Sequence, residues 1–392
     1  MFRDDPPVNL QWPLKFNEIP KEVFQREDIY RRELERIFRG PEWHLVAHRA
    51  EVAEPGGYKS TFIGETPILI VHGEDGKVRV FSNSCTHRGV LLKNCGRGVA
   101  RELNCPYHRW AFNLQGEMTG APGIKDFPPD FAKENYGLRQ LRYEEFHGLV
   151  FATFSREAPP LDEYLGETKP YLIKAVGGDR GLKLLGYQKV IFDANWKEYN
   201  DNDGYHGPLL HTAFRLLQWP KGQGVQFVTA QAHKVNSVQF GGPPTTGFLK
   251  DATLVESRDK SGPPSNTVIV FYPLSQMFRN LDVVNIRYAF PLSPHQTEVH
   301  YAYFSQGDDD AAMAHHRVRQ ASNLLGPSGF ISLEDGAVFN RAHIGSRTAG
   351  TVAFQKGFTG PIQAPIEVKK DDESSNLIRW ERYRQSMGFD RG

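Results

Sequence analysis

The stretch Asn195–His211, NWKEYNDNDGYHGPLLH, crowds donor atoms around Gly204: Asp201, Asn202, Asp203 and Tyr205, with His206 and His211 beyond them. Two neutral imidazoles and one carboxylate make the facial triad of a non-haem Fe(II) site, which leaves positions open for O2 and substrate. His206 and His211 are five residues apart, well off a common face of a regular helix. Their convergence on one ion predicts a local i→i+5 register, a π-bulge. Gly207-Pro208 between them favours such an irregularity, because proline removes a donor from the ladder. Two ordinary helix histidines near an acidic N-terminus are the alternative for this segment alone.

A second donor cluster lies upstream in CTHRGVLLKNCGRGVARELNCPYHRW, where Cys85-x-His87 is followed by Cys105-x-x-His108. Two Cys/His pairs fit a tetrahedral structural zinc site. They also fit a Rieske 2Fe–2S centre, in which two cysteines hold one iron and two histidines the other. The Cys-x-His spacing is too tight for a zinc-finger knuckle. Gly89, Gly96 and Gly98 suit a backbone that folds over a cluster, and the flanking sequence reads as strands without a recognition helix. Cys95, the third cysteine, is expected to be a small buried residue and not a ligand.

The elements that must position these donors follow from periodicity. The chain has 392 residues, enough for two domains, and 47 basic against 46 acidic side chains, a net charge of +1. That balance gives no reason to expect nucleic acid or a membrane surface as partner. The opening MFRDDPPVNLQWPLKF has acids and prolines where a signal peptide needs a basic start and an apolar run, and no apolar stretch approaches the ~20 residues of a membrane span. A cytoplasmic location is expected, and three cysteines are compatible with a reducing compartment. Tyr30, Leu34, Ile37 and Phe38 share a helix face between Glu27 and Arg39. Ile68–Val71 and Val78–Phe81 flank Glu74-Asp75-Gly76 as a hairpin. Strands are expected at Leu182–Phe192, Gln226–Val235, Thr267–Tyr272, Val283–Phe290 and Glu298–Phe304, and helices at Asp308–Leu325, Glu334–Ala342 and Leu377–Met387. The reading is α+β with antiparallel sheets. Its domains are an arm and helix over 1–39, a small all-β domain over 40–155 and a larger domain over 156–392, with Pro159-Pro160 near the exit from the small domain.

With both clusters on one chain, the sequence resembles the large (α) subunit of the Rieske non-haem iron ring-hydroxylating oxygenases over nearly its whole length. CTHRG, NCPYHRWAFNLQGEMTG, NWK and DGYHGPLLH carry the resemblance. Val90 and Tyr107 stand where respiratory Rieske proteins have a disulfide pair, which points to the oxygenase branch. The resemblance implies a small β Rieske domain attached to a helix-grip catalytic domain. It implies Cys85, His87, Cys105 and His108 as cluster ligands and His206 and His211 as iron ligands. Asp203 takes the place of the aspartate that links His108 of a neighbouring subunit to the iron ligand; the other reading is a helix N-cap. GPSGFISLED points to Asp335 as the third iron ligand, with Glu334 next door as the alternative. The segment after NWK is about two residues shorter than usual, so Asp201 and Asn202 receive no family role.

The implied activity is that of an O2-dependent oxygenase fed from NAD(P)H by a separate reductase, with or without a ferredoxin. The implied assembly is a trimer of α subunits, alone or with a small β subunit. The expected reaction is aromatic cis-dihydroxylation or monohydroxylation. The GETPILIV block and the layout of Ile286–Tyr303 look most like the subgroup acting on aromatic carboxylates such as benzoate, salicylate or terephthalate. Arg287 is the candidate carboxylate anchor. Its other and more ordinary reading is a strand arginine on a solvated face. Oxidative N- or O-demethylation is the alternative reaction, and a Rieske electron carrier with an inert second domain is the alternative class.

Overall fold

The apolar run in Thr66–His72 and the alternating run Val78–Ser82 pair antiparallel, from Ile68↔Ser82 to His72↔Val78, as the hairpin signal requires. Gly76 closes the turn at φ +76, and the Asp75 carboxylate accepts the Lys77 amide at 3.2 Å. The computed structural model containing this hairpin describes residues 8–94, 96–202, 206–247, 249–369 and 372–392. The chain divides into two compact units, Phe38–Leu161 on one side and Met1–Ile37 with Asp162–Gly392 on the other.

The first unit is built of small antiparallel sheets. Thr66–His72 lies between Val78–Ser82 and Gly57–Ile63, with Gly96–Val99 at the edge. Leu103–Asn104, Ala111–Phe112 and Met118–Gly120 form a second sheet, and Arg142–Phe146, Leu149–Thr153 and His44–His48 a third. Leu69, Val71, Phe81, Leu103, Trp110 and Phe112 pack one core, into which Cys85 and Cys105 are also buried.

The second unit centres on an eight-stranded antiparallel sheet. Its long strands Leu182–Phe192, Val283–Ser293 and Gln296–Gln306 lie side by side, with Gln296–Gln306 in the middle. The expected strand Gln226–Val235 is two strands, Gly222–Val228 and Lys234–Phe240. The chain reverses between them because the Thr229 amide bonds to the His233 carbonyl and Ala232 adopts φ +60. Asp310 caps Ala311–Gln320 through the Met313 amide at 2.7 Å, and the helix runs on into a π turn, Ala321–Leu325. Ser332–Gly345 follows and carries Glu334 and Asp335. Gly336 lets this helix approach the sheet, since a Cβ there would meet the Phe192 ring at 2.9 Å. Among the described residues, no helix is long and apolar enough to cross a membrane.

The short helix Trp196–Asn200, which leads into the histidine segment, is fixed at both ends. Asn195 accepts the Lys197 amide at 3.0 Å while Glu198 accepts the Asn195 amide at 2.9 Å, a capping box. Fully buried Glu33 ties the helix to both chain termini. It takes Lys197 Nζ at 2.6 Å, Trp196 Nε1 at 2.7 Å and the Tyr383 hydroxyl. Burial pushes the Lys197 ammonium below its ordinary range, and Glu33 opposes that shift. Because one partner of a buried ion pair cannot be removed without stranding the other, Glu33→Ala should lower stability by about 3–5 kcal/mol. Denaturant unfolding of the full chain checks this; a loss below about 1 kcal/mol would show that the terminal helices do not hold the segment.

Candidate metal centres

The two Cys/His motifs form a pair of matching loops. The Cys85 amide bonds to the Val90 carbonyl and the Gly89 amide to the Cys85 carbonyl, both at 2.8 Å. The second loop repeats the pattern, with Cys105 to Trp110 at 2.8 Å and Arg109 to Cys105 at 3.2 Å. The fifth residue of each loop is left-handed, Gly89 at φ +74 and Arg109 at φ +58. Both thiols point into the core, whereas His87 is exposed and His108 half-buried. The His87 and His108 rings meet edge-on with centroids 4.7 Å apart, and His87 stacks on Trp110 at 4.6 Å. The Tyr107 ring lies against His108 at 3.7 Å.

The donors in this pair of loops fit a cluster better than a single ion. Burial, together with the neighbouring Cys105, pushes the Cys85 thiol up, so two thiolates side by side need a compensating positive group. His108 Nδ1 is buried without a hydrogen-bond partner. Among the described residues, the one group of three or more donors close enough to hold one metal ion lies elsewhere. Two buried thiols and two outward imidazoles, not gathered on one point, suit a dinuclear centre with a sulfur-held inner iron and a nitrogen-held outer one. Cys95 lies outside the described residues.

The single-ion group is His206, His211 and Asp335, whose donor atoms all lie within 4.8 Å of one another. Asp335 Oδ1 is 3.4 Å from Nε2 of each histidine, and it is buried with no hydrogen-bond partner. A carboxylate oxygen aimed between two imidazole nitrogens and otherwise unpaired fits a cation at that point. Burial also pushes the His211 imidazole down, towards the neutral form that binds metals.

The route to this convergence differs from the expected π-bulge. His206 caps a single turn, Gly207–Leu210, with the Leu210 amide on the His206 carbonyl at 2.7 Å. At His211 the backbone swings to φ −76, ψ 116 before a second short helix, Thr212–Leu216. One turn plus an extended residue turns the second ring back onto the first, and the ring centroids end 5.2 Å apart. Proline at the second position of the turn costs nothing there, because its missing N–H would be unpaired in any first turn.

Of the two adjacent acids, Asp335 faces the histidine nitrogens at Nε2. Glu334 turns the other way. It accepts the Thr212 amide at 2.9 Å and the Thr212 hydroxyl at 2.7 Å, and its Oε2 lies 3.5 Å from His211 Nδ1. Burial would raise the Glu334 carboxyl, but hydrogen bonds from Thr212 and the nearby His211 hold it below its ordinary range. Asp203 and Gly204 lie outside the described residues. Asp201, which received no family role, accepts Trp380 Nε1 at 3.1 Å.

Arg287 is not on a solvated face. It is 7% exposed, sandwiched between Phe278 at 4.0 Å and Tyr301 at 4.7 Å. Its partners are neutral: Asn285 Oδ1 at 3.2 Å, the Leu325 carbonyl at 3.1 Å and Ser332 Oγ at 3.3 Å. Burial disfavours its charge, yet Tyr301, Tyr199 and Asp335 hold the guanidinium above its ordinary range. The strand's alternation cannot predict this, because Val283–Ser293 is buried on both faces over most of its length. Tyr199, which the sequence did not single out, is buried beside Arg287 with an unpaired hydroxyl, pushed well up by burial. Separately, a cavity of about 550 Å³ opens on His206, Asp335, Asn202, Leu210 and Phe339.

Residues 42–135 match the Rieske [2Fe-2S] domain family. The large subunit of anthranilate 1,2-dioxygenase from Burkholderia cepacia is 31% identical, over 95% of this chain and 94% of that one. An α subunit of terephthalate 1,2-dioxygenase from Comamonas sp. is 32% identical, over 97% and 98%. Among solved structures, naphthalene 1,2-dioxygenase with indole bound in its active site superposes with a TM-score of 0.82 at 21% identity, covering 98% of this chain and 95% of that one.

Proposed function

The chain belongs to the Rieske non-haem iron aromatic-ring-hydroxylating oxygenases, as a large (α) subunit, and on that premise we propose that it hydroxylates an aromatic carboxylate. Enzymes of this family carry a Rieske 2Fe–2S cluster and a mononuclear iron and take electrons from NAD(P)H through a reductase. When bound, the cluster supplies electrons one at a time and the mononuclear iron activates O2. Cys85, His87, Cys105 and His108 hold the cluster in this reading, and His206, His211 and Asp335 hold the iron. The observation that carries it is the unpaired Asp335 oxygen 3.4 Å from two imidazoles. An electron carrier with an inert second domain has no use for that arrangement.

The protein's own part is to bind, orient and exclude water. The guanidinium of Arg287 is kept charged with Asp335 nearby, yet its described hydrogen-bond acceptors are all neutral, which leaves it suited to a direct carboxylate partner. Arg287, with the unpaired Tyr199 hydroxyl beside it, is therefore the proposed anchor for the substrate carboxylate, which a guanidinium binds through two parallel bonds. The relatives named for anthranilate and terephthalate act on aromatic carboxylates, which supports that substrate class over N- or O-demethylation. Arg287 also ties Leu325 and Ser332 together just before Asp335, which favours a second, purely structural role.

Asp203 is proposed to couple the two centres, accepting N–H groups from His206 and from His108 of a neighbouring copy. A ring of three α subunits brings those residues together, and a ferredoxin and a small β subunit are compatible with it. The enzyme is proposed to work in the cytoplasm.

Two variants test these assignments. In Asp203→Asn, both metal centres should load and the cluster should still be reduced, but single-turnover product from pre-reduced, substrate-bound protein should fall by about 10–100-fold. Normal yield with normal loading would make Asp203 a helix cap. Arg287→Gln should raise KM for an aromatic carboxylate by about 10–100-fold, the loss of a charge-assisted hydrogen bond, and change little for the matching primary amide. Equal losses for acid and amide would leave Arg287 only its structural role.

A further inference from the structure

His211 has a carboxylate facing each ring nitrogen, from consecutive residues of one helix. Asp335 Oδ1 lies 3.4 Å from Nε2 and Glu334 Oε2 lies 3.5 Å from Nδ1. The ring is 4% exposed and Nδ1 is buried, with no hydrogen bond to any described residue. A buried imidazole N–H must find an acceptor, and among the described residues the Glu334 carboxylate lies beside it. At 3.5 Å the pair stands at the outer edge of hydrogen-bonding distance.

The Glu334 carboxylate is itself held. Thr212, the residue after His211, gives it an amide at 2.9 Å and a hydroxyl at 2.7 Å. Those two bonds fix its position relative to the very backbone that carries the imidazole. Glu334 thus does two things at once: it caps the helix Thr212–Leu216, and it presents a fixed negative charge to the far side of His211.

We propose that Glu334 is a positioning residue for the iron site: it holds His211 in the Nδ1–H tautomer, so that Nε2 is the donor beside Asp335, and strengthens that donor. A ligating histidine whose second nitrogen is held by a carboxylate binds metal more tightly and in one orientation. This rests on the reading of His206, His211 and Asp335 as the iron ligands. It adds to that reading a division of labour between the paired acids, one towards the metal and one behind the ligand.

The test uses the full chain with its cluster intact and the mononuclear site emptied by mild chelation, then titrated with Co(II) while its visible bands are recorded. Glu334→Gln should bind Co(II) about 10–100-fold more weakly, with shifted bands. Thr212→Val keeps the carboxylate and the capping amide and removes only the hydroxyl, so its loss should stay below about fivefold. Unchanged affinity and bands in Glu334→Gln, or equal losses in the two variants, would reduce Glu334 to a helix cap and overturn the proposal. Thermal melting monitored by circular dichroism separates a weakened ligand from a weakened fold; if Glu334→Gln does not fold, Glu334→Asp, whose shorter side chain draws the carboxylate away from Nδ1, should still weaken Co(II) binding and shift its bands, and unchanged affinity and bands there overturn the proposal. Asp335→Asn is the control for the underlying reading: Co(II) binding at the unaltered strength there would remove the iron site, whatever Glu334 does.

Discussion

A single buried oxygen, Asp335 Oδ1, sets the terms for the second unit. It lies 3.4 Å from two imidazole nitrogens and has no hydrogen bond of its own. Left alone, such a group costs free energy, so the structure around it has to be over-determined. The two ends of the chain supply that constraint through Glu33, which joins the N-terminal helix, the C-terminal helix and the helix that leads to the histidines. The Phe192–Gly336 contact fixes the acid-bearing helix against the sheet from the other side. The candidate site thus sits where segments distant in sequence are locked together by buried polar contacts.

The first unit solves a different problem. A cluster needs thiolates in a dry interior and an edge open to a redox partner, and two loops with the same hydrogen-bond pattern deliver both. Each loop sends its cysteine inward and its histidine outward. The exposed His87 and half-buried His108 then lie at the outer rim, backed by Trp110 and Tyr107. A centre held there by two neutral imidazoles in place of two thiolates would carry less negative charge, which suits electron relay at a higher potential.

Much of this was legible in the sequence where one residue type has one use. The Cys-x-His and Cys-x-x-His spacings, the Asp-Gly turn at Asp75-Gly76, the acid-led start of the helix expected over Asp308–Leu325 and the long apolar strands all read directly. What was not legible depended on backbone angles that several residue types share. The extended ψ of His211 replaced the expected π-bulge, and Ala232 in a left-handed turn cut one expected strand into two. Which of Glu334 and Asp335 faces the histidines is a matter of helix rotation, fixed by packing against Phe192 and by Thr212. Glu334 is raised by the sequence as the alternative ligand, and a threonine directly after His211, with paired acids on a distant helix, is the signal that could point to its place behind the imidazole. Arg287 departs from the solvated-face reading because polarity on a strand usually means solvent, whereas the strand Val283–Ser293 is buried on both faces over most of its length.

Above all, two separate sets of donors on one chain are proposed to hold two chemically different iron centres. Quantifying iron, zinc and acid-labile sulfide in the purified full chain tests that proposal most directly. About three irons and about two sulfides per chain are expected, with negligible zinc. Zinc at about one ion per chain, with no labile sulfide, would contradict it.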